Sequence, residues 1–231
     1  MRALLIAVVV LLGIAVAADR ILVLLTEDLL ASSIQEEAGL PAEPDISIQG
    51  FPFLTQAIEG RYDSVRVGVD VLALGLPPGA TADIQLLGAQ VPLRSVLSRS
   101  VATVPVERVV GTVTFPFDYI GDQMDGATVT RDGSGLRVET TVALLGQDFP
   151  VAATAELALV GREVTLSASN VEGLGAELPD AVTSAVLDLL DLTLPVPDLP
   201  FGLAYTEIRV VGEGMQVVAE GNDIVLEQPA G

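Results

Sequence analysis

The side chains that most often carry catalysis are scarce in this chain. It contains no His and no Cys, which excludes Ser-His-Asp and Cys-His catalysis, disulfides, haem ligation and nearly all zinc sites. The three carboxylates Asp118, Asp122 and Asp125 can share a helical face, but they lack the close alternation and the terminal Glu of a calcium loop. No nucleophile elbow, P-loop or zinc-protease motif is present. We therefore predict no enzymatic activity, no metal site and no cofactor, with a hydrolase that uses a carboxylate pair as the alternative.

Charge and composition exclude further classes of function. The formal net charge is −20, and all eleven basic residues are Arg, so the chain lacks the clustered cations that nucleic-acid binding requires. The same charge argues against attachment to anionic lipid by electrostatics alone. Hydrophobic residues make up 50% of the 231 residues but aromatic residues only 4%, with no Trp. An apolar mass of Val, Leu, Ala and Ile favours strands and simple helices.

The amino terminus resembles an export signal. A positive start at Arg2 precedes sixteen uncharged residues, 3–18, which end in small residues before Asp19 and Arg20. Such a segment is typical of a cleaved signal peptide. As a helix it would span about 24 Å, slightly less than the hydrocarbon core of a bilayer. Because residues 21–25 are also apolar, an uncleaved anchor over residues 3–25 and a buried amino-terminal helix are the alternatives.

Periodicity places the remaining residues in helices and strands. Two amphipathic helices are predicted over residues 19–38 and 179–192. The first has a stripe of Val23, Leu30, Ile34 and Ala38, with Ala31 beside it, that is interrupted by Glu27. Six segments alternate apolar with polar residues, as one-sided strands do: 65–71, 136–142, 151–159, 164–168, 208–210 and 224–226. The fold class that follows is α+β, a highly curved antiparallel sheet wrapped around an amino-terminal and a carboxy-terminal amphipathic helix.

Domain organisation follows from the absence of a linker between segments of different composition. We predict a signal peptide or membrane anchor at residues 1–18 and a single domain at residues 19–231. A weak internal repeat lies inside that domain, because Phe51-Pro52-Phe53 recurs as Phe115-Pro116-Phe117. If this spacing is not coincidence, it predicts two strand-helix-strand units in one sheet, each helix starting after its proline.

Two segments resemble a known family. The sequence from Gly50 to Gln56, followed by Gly60-Arg61-Tyr62 and the strand at 65–71, resembles the hallmark segment of the LmeA-like phospholipid-binding proteins of bacterial cell envelopes. The segment 199–203 before the late strand is similar to that family's carboxy-terminal segment. The resemblance implies an exported, membrane-associated protein of the periplasm or cell envelope. It also implies a tubular lipid-binding (TULIP-like) fold, a phospholipid partner and a role in maintaining envelope lipoglycans.

The residues themselves are compatible with an apolar lipid groove. Small side chains such as Ala153 and Ala155 leave room for an acyl chain, and the stripe of Val182, Val186 and Leu189 offers an opposite wall. Arg61, Arg66 or Arg94 can meet a phosphate at the mouth. The remaining predicted lipid-binding residues are Phe51, Phe53, Leu54 and Phe201. Plain core packing of the Phe residues, an Arg61–Asp63 ion pair, and a structural or adaptor protein of the envelope with a dry core stay open as alternatives.

Overall fold

Two antiparallel sheets and several helices build the molecule. The structure is a computed structural model that describes residues 2–39, 42–69, 76–92, 94–95, 103–144, 147–161, 163–175, 177–195 and 199–227. Its helices are α1 (Arg2–Ala38), α2 (Phe53–Glu59), α3 (Phe117–Gln123) and α4 (Asp180–Leu190), with a 3-10 helix at Pro200–Gly202. Its strands are β1 (Asp45–Gln49), β2 (Arg61–Val69), β3 (Thr81–Gln90), β4 (Thr103–Pro116), β5 (Thr128–Asp132), β6 (Gly135–Leu144), β7 (Gln147–Val160), β8 (Glu163–Gly173), β9 (Leu192–Pro195), β10 (Ala204–Val211) and β11 (Gly214–Glu227).

The larger sheet has six strands in the order β1-β2-β3-β4-β11-β10. Its register places apolar side chains in rows on one face, with Val65 beside Leu86 and Leu86 beside Val109. The apolar face, as we call it, consists of Ile46, Ile48, Val65, Val67, Ala82, Ile84, Leu86, Val109, Val113, Ile208 and Val217. The opposite, polar face carries residues such as Arg66, Gln85 and Thr114. This separation follows from the period of two along each strand.

The smaller sheet, β5-β6-β7-β8-β9, is covered by α4. Val182, Val186 and Leu190 of α4 pack on Val151 and Ala153 of β7. All five residues are buried, so this layer is a conventional helix-on-sheet core. Edge strand β10 of the larger sheet joins a second core through Val210, which packs with residues of β5 and β6.

The internal repeat is real at the level of local structure. Pro52 and Pro116 each cap a seven-residue helix that begins at the following Phe, α2 and α3 respectively. The two units differ in their strands, however. Helix α2 joins paired strands β1 and β2, whereas α3 carries the chain from β4 in the larger sheet to β5 in the smaller one. The prediction that both units lie in one sheet is therefore wrong.

The predicted fold class is confirmed as α+β with a large antiparallel sheet, and the six alternating segments lie in strands β2, β6, β7, β8, β10 and β11. Residues 70 and 71 of the first segment lie outside the described residues. One curved sheet was expected, but the strands divide between two sheets because α3 redirects the chain. The helix predicted at 179–192 is α4, which three strands follow along the chain.

Helix α1 is longer than the predicted 19–38, because the apolar leader continues into it without a break. Its domain-facing side differs from the predicted stripe as well. Val23 and Ala31 are buried, but Leu30 is exposed. Glu27 lies on the domain-facing side, where its Oε1 accepts the N–H of Ile48 at 2.6 Å. An acidic residue in the stripe thus caps an otherwise unpaired amide of edge strand β1.

Candidate functional site

One end of the six-stranded sheet gathers the segments that the sequence singled out. Because the pairing is antiparallel, β1, β3 and β11 finish at the same end at which β2, β4 and β10 begin. Helix α2 joins β1 to β2 at this end, and the 3-10 helix immediately precedes β10. We call it the α2 end.

Hydrogen bonds within the motif hold the segment around α2. Gln56 is buried, and its Oε1 accepts the N–H of Asp63 at 2.8 Å while its Nε2 donates to the carbonyl of Gln49 at 3.4 Å. Gly50 has φ 108°, and a Cβ there would lie 2.4 Å from Gln56 Nε2. The Gly and the Gln of the motif therefore position the chain on both sides of α2 rather than contact a ligand.

Helix α1 supplies the missing cap of α2. Pro52 offers no side-chain hydrogen bond at the start of α2. Instead Oδ1 of Asp19, whose residue is only 2% exposed, accepts the N–H of Leu54 at 2.9 Å. The neighbouring Arg20 donates to Asp19 at 2.7 Å, and its guanidinium lies 5.2 Å from the ring centroid of Phe51. A carboxylate at a helix start satisfies backbone donors that have no partner within the helix.

Apolar side chains protrude from this scaffold. Phe51 is 60% exposed and Ile58 is 75% exposed, with Leu54 between them. Phe201, in the 3-10 helix with φ 58°, and Val225 are also exposed at this end. Phe51, Leu54 and Ile58 lie together on and just before α2, whereas Phe201 and Val225 lie at β10 and β11, across the sheet. Exposed large apolar groups that cluster, as the first three do, mark interaction sites more often than scattered ones do.

The sequence-predicted residues separate into two places. Phe51, Leu54 and Phe201 lie exposed at the α2 end, while Phe53 is buried in a core with Val23, Ile48 and Ala57. Plain core packing is thus the role of Phe53.

The second group lies under α4. Ala153, Val182 and Val186 are between 0 and 2% exposed and contact one another. Ala155 is also fully buried, on the same strand as Ala153. An acyl chain would have to displace α4 to reach them. The Leu189 side chain lies outside the described residues.

The arginines predicted at the headgroup differ in setting. Arg61 lies at the α2 end and forms a two-pronged ion pair with Glu107, one bond of which measures 3.0 Å. These hydrogen bonds raise the pKa of the Arg61 guanidinium. Arg66 extends from the polar face, beside Ser47 and Gln85. Of these two arginines, Arg61 is therefore the one at the α2 end.

The carboxylates Asp118, Asp122 and Asp125 lie exposed on and after α3. Within the described residues no group of three or more potential ligands is arranged to hold a metal ion.

A feature that the sequence analysis missed is the openness of the apolar face. Val65, Ile84, Leu86, Val113 and Val217 are half-buried rather than buried. Ile46, Ile48, Ala82 and Val109 of the same face are buried. Among the described helices, α1 contacts β1, α2 contacts β2 and α3 contacts β4, so apolar surface stays accessible in part of the face, at the half-buried positions. Alternation along the strands predicts such a face, but it cannot indicate which face stays open.

A comparison with family models decides the classification. The model described as LmeA-like phospholipid-binding matches residues 17–220, most of the chain. The chain belongs to the LmeA-like phospholipid-binding family. Searches of curated proteins and of solved structures find no match. The matched range begins just before Asp19, so it includes the half of α1 that caps α2 and contacts β1.

Proposed function

We propose that this LmeA-like protein is an exported cell-envelope protein that holds the acyl chains of a phospholipid against the apolar face of its six-stranded sheet. The observation that carries the proposal is that this face is apolar across its strands and that most of its side chains, such as Leu86 and Val113, are half-buried rather than buried. Membership of a phospholipid-binding family supports the class of ligand. The TULIP-like curvature of the sheet around the lipid belongs to the same proposal.

Apolar burial can hold such a ligand without a charged clamp. Each buried methylene contributes about 0.8 kcal/mol, so six methylenes against the sheet contribute about 5 kcal/mol before the costs of association. Residues such as Leu86 and Val113 offer that surface. Binding by this means should depend on the shape and area of the face rather than on net charge.

The headgroup then lies at the α2 end. Arg61 is the cation at that end of β2, and its side chain is about half exposed. A phosphate can replace Glu107 as the partner of the Arg61 guanidinium, since a phosphate and a carboxylate both accept two parallel hydrogen bonds from Arg. Arg66, on the opposite face, does not take part.

A matched pair of substitutions tests the site. Val113 and Thr114 are neighbours on β4, both half-buried, with Val113 on the apolar face and Thr114 on the polar face. Val113→Glu places a charge against the acyl chain and should reduce the affinity for a fluorescent phospholipid at least tenfold. Thr114→Glu should leave the affinity within about twofold, because Gln216, which donates to Thr114 at 3.2 Å, can donate to the new carboxylate.

Equal affinities in the two variants, with both folded by circular dichroism, would contradict the proposed site. Absence of phospholipid from protein extracted from its native envelope would favour the structural or adaptor function instead. The closed core of α4 on β7 is the observation that speaks for that second function.

Export is a separate part of the proposal. Helix α1 is the one helix in the described part of the chain that is long and apolar enough to cross a membrane. Cell fractionation should place the protein outside the cytoplasm, either cleaved near residue 18 or held in the membrane. Full-length protein soluble in the cytoplasm would contradict this part. A role in lipoglycan maintenance or lipid transfer then follows only for the exported form.

A further inference from the structure

The outer side of α1 stays apolar beyond the point at which the sequence suggests that the leader ends. Asp19 and Arg20 are the only charged residues between positions 3 and 26, and the structure pairs them with each other at 2.7 Å. The Asp19 carboxylate faces the domain and Arg20 lies over Phe51. Asp19 is thus removed from the solvent-facing side of the helix, while the paired Arg20 stays about half exposed. Exposed leucines and isoleucines continue around it: Ile14, Ile21, Leu22, Leu24, Leu25 and Leu29.

Helix length supports a bilayer as the partner of this surface. Residues 3–25 form one uninterrupted helical stretch, which at 1.5 Å per residue spans about 34 Å. That length matches a hydrocarbon core of about 30 Å, whereas residues 3–18 alone fall short of it. A paired Asp and Arg beside an aromatic ring is also less costly in lipid than an isolated charge.

The α2 end lies beside the part of α1 that contains Asp19 and Arg20. Contacts from Asp19 and Arg20 hold Leu54 and Phe51 beside the carboxy-terminal part of the 3–25 stretch. Arg20 lies five residues before Leu25, the end of the stretch, which corresponds to about 7.5 Å along the helix. Leu54 and Ile58 are four apart on α2, and Glu59, the one charged residue of α2, is about 100° around the helix from Ile58.

We propose that the α2 end is a membrane-docking surface, in which Phe51, Leu54 and Ile58 insert into the interface of the bilayer that α1 enters. This inference builds on the proposed function, because the open apolar face of the sheet would then receive its lipid directly from that bilayer. Aromatic and aliphatic groups at such a depth are typical of interfacial anchors. The Arg20 guanidinium, which lies over the Phe51 ring and is about half exposed, can then meet a lipid phosphate.

The absence of Trp from the chain permits a reporter without background. The full-length protein is reconstituted into phosphatidylcholine vesicles that contain acyl-brominated phosphatidylcholine, which quenches Trp only at close range. Phe51→Trp and Ile58→Trp report the docking surface, and Val160→Trp is the matched control, since Val160 is 63% exposed at the end of β7 in the other sheet. Val113→Trp reports lipid on the apolar face.

Docking predicts at least twofold stronger quenching of Phe51→Trp and Ile58→Trp than of Val160→Trp. If the brominated lipid quenches these two no more strongly than the control, the inference is wrong. Protection of both residues from aqueous iodide, a quencher in solution, would in that case mean that a second copy of the chain covers the surface. Quenching of Val113→Trp alone would keep the proposed function and reject docking. Quenching at positions 51 and 58 without position 113 would keep docking and count against the proposed lipid site.

Discussion

Two apolar regions compete as the place of the acyl chains, and Val186→Ala distinguishes them. Val186 is 2% exposed in the core between α4 and β7. The substitution removes two methyl groups, worth about 1.6 kcal/mol of transfer free energy. A residual cavity of roughly 40 Å³ adds about 1 kcal/mol at 24 cal/mol per Å³. We therefore expect the free energy of unfolding to fall by about 2 to 3 kcal/mol and the affinity for phospholipid to stay within about twofold.

The assay combines urea unfolding, followed by circular dichroism, with a fluorescent-lipid titration on the same samples. With a slope of about 2 kcal/mol per molar urea, the unfolding midpoint should fall by roughly 1 M. The companion variant Leu86→Ala, on the half-buried apolar face, should show the opposite result. It should lose about tenfold in lipid affinity, close to 1.4 kcal/mol, with a smaller loss of stability because the side chain is not fully buried.

A result in which Val186→Ala weakens lipid binding tenfold without lowering the unfolding midpoint would refute this reasoning. It would mean that α4 separates from the sheet and that lipid enters beneath it. Enlarging Ala153 or Ala155 does not test the same question cleanly, since both are almost fully buried. Ala153→Phe or Ala155→Leu should therefore destabilise the fold through overpacking, whatever its effect on lipid.

Three further predictions concern the scaffold and the character of the binding. Asp19→Ala removes the acceptor of the Leu54 N–H and should speed amide hydrogen exchange in α2. The control Asp28→Ala, at an exposed position of α1, should not change this exchange. Equal exchange rates in the two variants would contradict the capping role of Asp19. Gly60→Ala should lower the free energy of unfolding, measured in urea, more than Gly133→Ala does. Both glycines have positive φ, but of the two only Gly60 would place a Cβ against backbone, 2.9 Å from the Cα of Pro92. Equal losses of stability would show that this contact relaxes. Phospholipid affinity should change less than about threefold between 0.05 and 0.5 M salt, since apolar contacts are not screened; a steep loss would indicate an electrostatic site.

Much of the local structure could be predicted from the sequence because it depends on neighbouring residues. The apolar leader, the helix starts after Pro52 and Pro116, and the alternating strands follow from chain composition and from periods of 3.6 and 2. The segment from Gly50 to Gln56 also indicated the family, since its Gly and Gln are required by the geometry around α2.

The tertiary structure decided which apolar surfaces are closed and which stay open. Ala153 and Val182 looked like facing walls of a groove, but α4 packs directly on β7 and brings them into contact. Glu27 interrupts the apolar stripe in the sequence, yet its partner is the amide of Ile48, 21 residues away. Pairings across such sequence distances leave no periodic signal, because periodicity reports which residues share a face and not what that face meets.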